Sequence, residues 1–212
     1  MVRIDHARWA TALTEPLHAE AAARLDEWFA AGRPAVARRG GCRSGAGVSA
    51  GVALPPSSGR LRLAFSVDRA AIRSIDLPPR LRDVIGCAPA SWRDGLRRLA
   101  READARALSF RVFGSLAWQW STAMRYVSAR SDVDLLFSPE TKAALEAGVV
   151  LLRAWQASHA LRADGEIVFP DGRAVAWREW DACTSRVLTK SSVGVALASR
   201  GQLLRMLAYD GR

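Results

Sequence analysis

Ser131-Asp132-Val133-Asp134-Leu135-Leu136-Phe137 places two carboxylates inside an otherwise apolar run. A β-strand has a two-residue side-chain period, so Asp132 and Asp134 are predicted on one face, with Val133, Leu135 and Phe137 facing a core on the other. Two neighbouring carboxylates repel, and one should titrate high unless a cation neutralises them. A divalent ion such as Mg2+ answers that problem, because it favours carboxylate oxygens together with substrate phosphates.

Upstream, Phe113-Gly114-Ser115 ends an apolar strand candidate and begins a helical pattern. A helix start of this kind presents backbone N–H groups where a phosphate could sit, and glycine lets the phosphate approach closely. Either motif alone has an ordinary explanation: Gly-Ser is a common turn and cap, and D-x-D is often a solvated strand edge. Their conjunction, with the acids in an apolar strand, points to metal-dependent phosphotransfer. Asp132 and Asp134 are the expected metal ligands, and Gly114 and Ser115 the expected phosphate cradle.

The hydrophobic periodicity predicts a mixed α+β chain. A helix is expected over 17–31, a short strand after Pro34, two strands at Val48–Leu54 and Leu61–Val67, and a flexible Gly/Ser-rich loop between Gly40 and Gly51. That loop lacks the residue order of a P-loop. Prolines 78, 79 and 89 punctuate a segment without periodicity, so a boundary is placed near residues 88–92. This gives a smaller α+β N-terminal domain (1–90) for substrate or partner binding and a catalytic domain (91–212). The second half reads as helix 92–107, strand 107–113, helix 116–127, strand 132–137, helix 141–161, a hairpin around Pro170-Asp171-Gly172, and a last helix over 201–209.

Lys and Arg together number 31 against 21 Asp and Glu, a formal charge of +10. Arginine dominates, Lys142 and Lys190 being the lysines. Composition bias accounts for part of this, yet the field still attracts anionic partners. Lys190, a rare lysine in an arginine-rich chain, is a candidate phosphate ligand, or else a solvated surface side chain. A basic nucleic-acid-binding module is disfavoured, since no RNP-like aromatic motif, zinc finger or clear helix-turn-helix is visible. Cys42, Cys87 and Cys183 are too scattered for a zinc or disulfide framework, and no stretch spans a bilayer. The expectation is a cytoplasmic enzyme.

Gly114-Ser115 followed by Ser131-Asp-Val-Asp134 resembles the signature of DNA polymerase β-type nucleotidyltransferases. The wider text is similar to malonate decarboxylase holo-acyl-carrier-protein synthases, the phosphoribosyl-dephospho-CoA transferases. The matching residues are Arg111 to Gln119, Thr122, Tyr126, Ser131 to Leu136, Asp164-Gly-Glu166, Asp171-Gly172, Val175 to Glu179 and Val187 to Lys190. Upstream, Gly32-Arg-Pro34, Val36 to Arg39 and Leu77-Pro-Pro extend it. Ala123 stands where the family pattern has Gly after the Thr.

The resemblance implies a nucleotidyltransferase-like C-terminal domain with a mixed sheet and flanking helices. It implies transfer of a phosphoribosyl-dephospho-CoA group from triphosphoribosyl-dephospho-CoA to a serine of the acyl-carrier protein subunit of malonate decarboxylase, with release of pyrophosphate. Mg2+ is the implied cofactor. A third carboxylate is also implied; Glu166 is the first choice as the base, with Asp164 and Glu179 as rivals. The alternative is another nucleotidyltransferase moving NMP from an NTP to a small molecule, RNA or protein.

Overall fold

A computed structural model describes residues 1–38, 47–59 and 61–208. Most of the expected Gly/Ser-rich loop lies outside these residues, as does Tyr209 at the end of the expected last helix. The chain is α+β, as its periodicity predicts, and divides into two compact units.

The first unit comprises Met1–Leu77 and Ser121–Tyr126. Its elements are β1 (Val2–Ile4), α1 (Ala19–Ala30), β2 (Val36–Ala37), β3 (Gly47–Ala53), β4 (Arg62–Asp68) and β5 (Ile72–Ile75). Strands β2, β3 and β4 form an antiparallel sheet, and β1 pairs with β5. Helix α1 buries Leu25, Trp28 and Phe29, three residues of one predicted stripe. The Trp28 indole donates to the Pro34 carbonyl, so the chain leaving the helix is tied to its apolar face.

The second unit, Pro78–Trp120 with Val127–Arg212, carries α2 (Leu81–Val84), α3 (Ala90–Asp104), β6 (Phe110–Phe113), α4 (Gly114–Thr122), β7 (Val133–Phe137), α5 (Lys142–Ser158), β8 (Ala163–Val168), β9 (Ala174–Ala176), α6 (Trp177–Asp181), β10 (Arg186–Lys190), β11 (Val195–Ser199) and α7 (Arg200–Leu204). Its six-stranded sheet has the order β11-β10-β9-β8-β7-β6. The β7–β8 pair is parallel and bridged by α5; every other pair is antiparallel. Parallel neighbours need such a crossover, and a helix supplies it.

One sheet face is core. Val133, Leu135 and Phe137 of β7 are buried, as are Leu145, Val149, Leu152 and Trp155 of α5. A β-carbon added at Gly148 would overlap the Phe137 ring, which puts α5 directly against β7.

Residues 78–90, grouped by the sequence reading with the N-terminal part, lie within the second unit. The Val112 N–H donates to Pro79 O, and Arg80 forms a bridge with Arg111. The proline-rich segment thus attaches to the free edge of β6, where a residue lacking an N–H can still accept.

Other differences are local. Helix α4 stops at Thr122 rather than near Val127, because Ala123 takes a left-handed φ of 57°. The last helix covers only Arg200–Leu204. Strands β10 and β11 are additional to the sequence expectation.

Candidate functional site

The opposite face of the sheet gathers the charged residues. Asp134 alternates with the buried Val133 and Leu135, as the two-residue period requires. Its register partners are Phe113 on β6 and Asp164 on β8, and Leu136 is opposite Glu166. Asp134, Asp164 and Glu166 therefore share one face. Asp132 immediately precedes β7.

Gly114 links β6 to α4 with φ 65°, a conformation glycine adopts without side-chain strain. A β-carbon there would lie 2.7 Å from Cγ of Asp134 and overlap Oδ2. The missing side chain at Gly114 is the space Asp134 occupies. The Ser115 backbone N–H at the start of α4 donates to the Asp134 carboxylate. The helix N-terminus thereby addresses the acid directly, with its dipole favouring negative charge.

That single donor does not offset the surroundings. Burial pushes the Asp134 carboxyl up to about 6, and the charges of Asp132, Asp164 and Glu166 push the same way. A carboxyl group raised by burial and like charges is a mark of a functional site.

Glu166 is largely buried and forms an ion pair of 2.9 Å with Lys190 on β10. Lys190, read from the sequence as either a phosphate ligand or a solvated side chain, meets the acid named as the first choice for the base. An ammonium carries three donors, of which this contact uses one.

Asp164, a rival third acid that could also have been a turn residue, sits inside β8, 3.8 Å from Arg162. Gly165 makes this possible. It has φ 144°, and a β-carbon there would come within 2.8 Å of the Leu135 backbone. The sequence signal was present: Asp164 and Glu166 repeat the spacing of Asp132 and Asp134. Glu179 is occupied differently, accepting the backbone N–H of Leu188 where the β9–β10 pairing stops. Arg111 shares the carboxylate face by register, and its guanidinium donates to Pro78 O at 2.6 Å.

Among the described residues, no group of three or more His, Cys, Asp or Glu side chains converges to hold a metal ion. The acids nonetheless fit a magnesium ion that takes one or two carboxylates and fills its shell with water and phosphate oxygens, rather than one caged by protein. Helix α4 itself is anchored by Gln119, which donates to Cys87 O at 2.6 Å and accepts from Val127 N–H.

Comparison with known proteins gives this arrangement a family. The model of the phosphoribosyl-dephospho-CoA transferase MdcG C-terminal domain matches residues 80–201, which include the whole acid cluster. The corresponding MdcG N-terminal domain matches residues 1–78. The chain belongs to the phosphoribosyl-dephospho-CoA transferase family.

It is 44% identical over 181 residues to a phosphoribosyl-dephospho-CoA transferase of Xanthomonas euvesicatoria pv. vesicatoria, covering 85% of each chain. Another from Xanthomonas campestris pv. campestris (strain 8004) is 42% identical over 92% of each chain. One from Bradyrhizobium diazoefficiens is 35% identical over 96% of this chain and 90% of the relative. No solved structure gave a significant match. Among the described residues, no helix is long and apolar enough to cross a membrane.

Proposed function

We propose that this enzyme transfers the phosphoribosyl-dephospho-CoA group of triphosphoribosyl-dephospho-CoA to a serine of the acyl-carrier protein subunit of malonate decarboxylase, releasing pyrophosphate. The observation that carries the phosphotransfer chemistry is the nesting of Asp134 against Gly114 and the Ser115 N–H, beside further acids on the same sheet face. The transferred group is the one the family and its relatives are named for, and the donor and acceptor are those the sequence resemblance implies.

The serine Oγ forms a bond to the phosphorus nearest the ribose, and the bond from that phosphorus to the bridging oxygen breaks. Pyrophosphate departs with the bond's electron pair, and the serine proton passes to Glu166. Lys190 keeps the Glu166 carboxylate oriented and retains donors for phosphate oxygens. The α4 N-terminus adds positive potential at the same place. Asp132 and Asp134 would hold Mg2+, which neutralises triphosphate charge in reactions of this class. Positioning and electrostatics then provide most of the rate.

The test is mass spectrometry of the apo carrier protein after incubation with enzyme, donor and Mg2+. A gain equal to phosphoribosyl-dephospho-CoA on one serine supports the reading. An unchanged carrier, or label appearing instead from ordinary ATP, contradicts it.

A further inference from the structure

Four of the nine large hydrophobic side chains exposed among the described residues cluster on the β10–β11 hairpin. They are Leu188 (40% exposed), Val193 (96%), Val195 (64%) and Leu197 (58%). Chance scatter leaves surface hydrophobics singly; a contiguous group marks a contact surface.

Their side of the sheet is fixed by pairing. Lys190 reaches Glu166, so it shares the face of the carboxylates. Leu188 and Arg186 precede it at two-residue steps on the same face, while Val187 and Thr189 are buried on the other. Across the ladder Lys190 pairs with Val195, Leu188 with Leu197 and Arg186 with Ser199. The apolar strip is therefore continuous with the acid face through Lys190. Strand β11 is four strands from β7, about 19 Å at the usual spacing. A protein footprint of ~800 Å² is roughly 30 Å across and covers both.

Charge decides between occupants. On the strip's own face β10 carries the exposed Arg186 and the half-buried Lys190, the latter paired with Glu166, and the sequence from Ala182 to Tyr209 holds no Asp or Glu. A second copy seated on this strip by two-fold symmetry would bring no acid of this segment to Arg186. An acidic partner gains instead.

We propose that the β10–β11 hairpin is the docking surface for the acceptor protein. The acceptor covers Leu188, Val195 and Leu197 with apolar side chains and offers carboxylates to Arg186, beside the serine it presents to the acid cluster. This rests on the reading that the acceptor is a carrier protein.

The experiment measures transfer against concentration of the apo acyl-carrier subunit, with wild type, Leu188→Ser/Val195→Ser/Leu197→Ser and Arg186→Glu. Both variants should raise KM for the carrier by about tenfold or more, the loss of one well-packed contact group. Turnover at saturating carrier and donor affinity should stay within about twofold, since the removed side chains lie off the acids. Arg186→Glu changes one exposed side chain, so it carries the test should the triple variant fold poorly.

Unchanged KM in a folded Arg186→Glu protein or triple variant overturns the proposal. So does a wild-type dimer that the triple variant dissociates without altering KM, which would make the strip a self-contact. Wild type that never modifies the carrier overturns the acceptor reading itself, and the docking surface falls with it.

Discussion

Gly114 and Asp134 occupy one volume: a β-carbon on the first would overlap the carboxylate of the second. The φ of 65° at Gly114 adds a backbone requirement that alanine meets only with strain. Gly114→Ala should therefore lose about 2–4 kcal/mol of stability, within the range for strained and overpacked sites. Transfer activity should fall about a hundredfold or more, as expected when a reacting group is displaced by an ångström. Denaturant unfolding and the carrier-protein assay measure the two effects; a Gly114→Ala enzyme of normal activity would remove the glycine from the site.

Asp134 predicts a pH dependence of stability in the metal-free protein. Its carboxyl is raised from 3.8 to about 6, so the folded protein holds this proton more tightly than the unfolded chain. Its contribution to stability therefore grows as pH falls through 6 and levels off below 3.8. Asp134→Asn should be more stable than wild type at pH 7.5 by about 1–2 kcal/mol, after discounting for partial exposure, with the gap closing by about pH 4. Urea unfolding at several pH values reads this directly. A constant gap would show that the acid is not perturbed.

Lys190 and Glu166 should behave as one unit. Lys190→Met and Glu166→Gln are each expected to lower turnover, the latter by about a hundredfold if Glu166 takes the serine proton. The double variant should be little worse than the more damaging single one, because each change already breaks the 2.9 Å pair. Additive losses in a double-mutant cycle would mean the two side chains act independently.

Ala123 offers a stabilising change. Its φ of 57° costs an alanine about 1–2 kcal/mol, and Glu or Lys at this place would fare no better. Ala123→Gly should gain roughly 1 kcal/mol net of the extra freedom glycine brings to the unfolded chain, a rise of about 2–4 °C in melting temperature. A fall in melting temperature would indicate that the alanine methyl makes a compensating contact.

Much of the acid face was readable from the chain itself. The alternation in 131–137 located the strand, its buried side and Asp134 without any tertiary information, though Asp132 falls one residue before the strand, and the Gly-Ser position marked the helix start. Proximity was not readable. The Lys190–Glu166 pair joins residues separated by a hairpin and a helix, and sequence offers no register between β8 and β10. Asp164 could pass as a turn residue because glycine beside aspartate usually signals a turn, whereas here Gly165 lets two backbones approach.

Strand β11 carried no alternating signal. Val195 and Leu197 are exposed, so polar and apolar residues do not trade places along it. Helix α4 ends short of its sequence pattern for the opposite reason: apolar spacing continues past Thr122, but the backbone turns left-handed at Ala123.

In the proposed reaction Asp134, set against Gly114 and the Ser115 N–H, works with Asp132, just before the same strand, to carry phosphoribosyl-dephospho-CoA transfer to a carrier-protein serine. The most direct measurement is the intact mass of apo acyl-carrier protein after incubation with donor, Mg2+ and wild-type, Asp132→Asn or Asp134→Asn enzyme. The prediction is complete modification by wild type and none by either folded variant. Modification by an Asp134→Asn enzyme at a near-normal rate would contradict it.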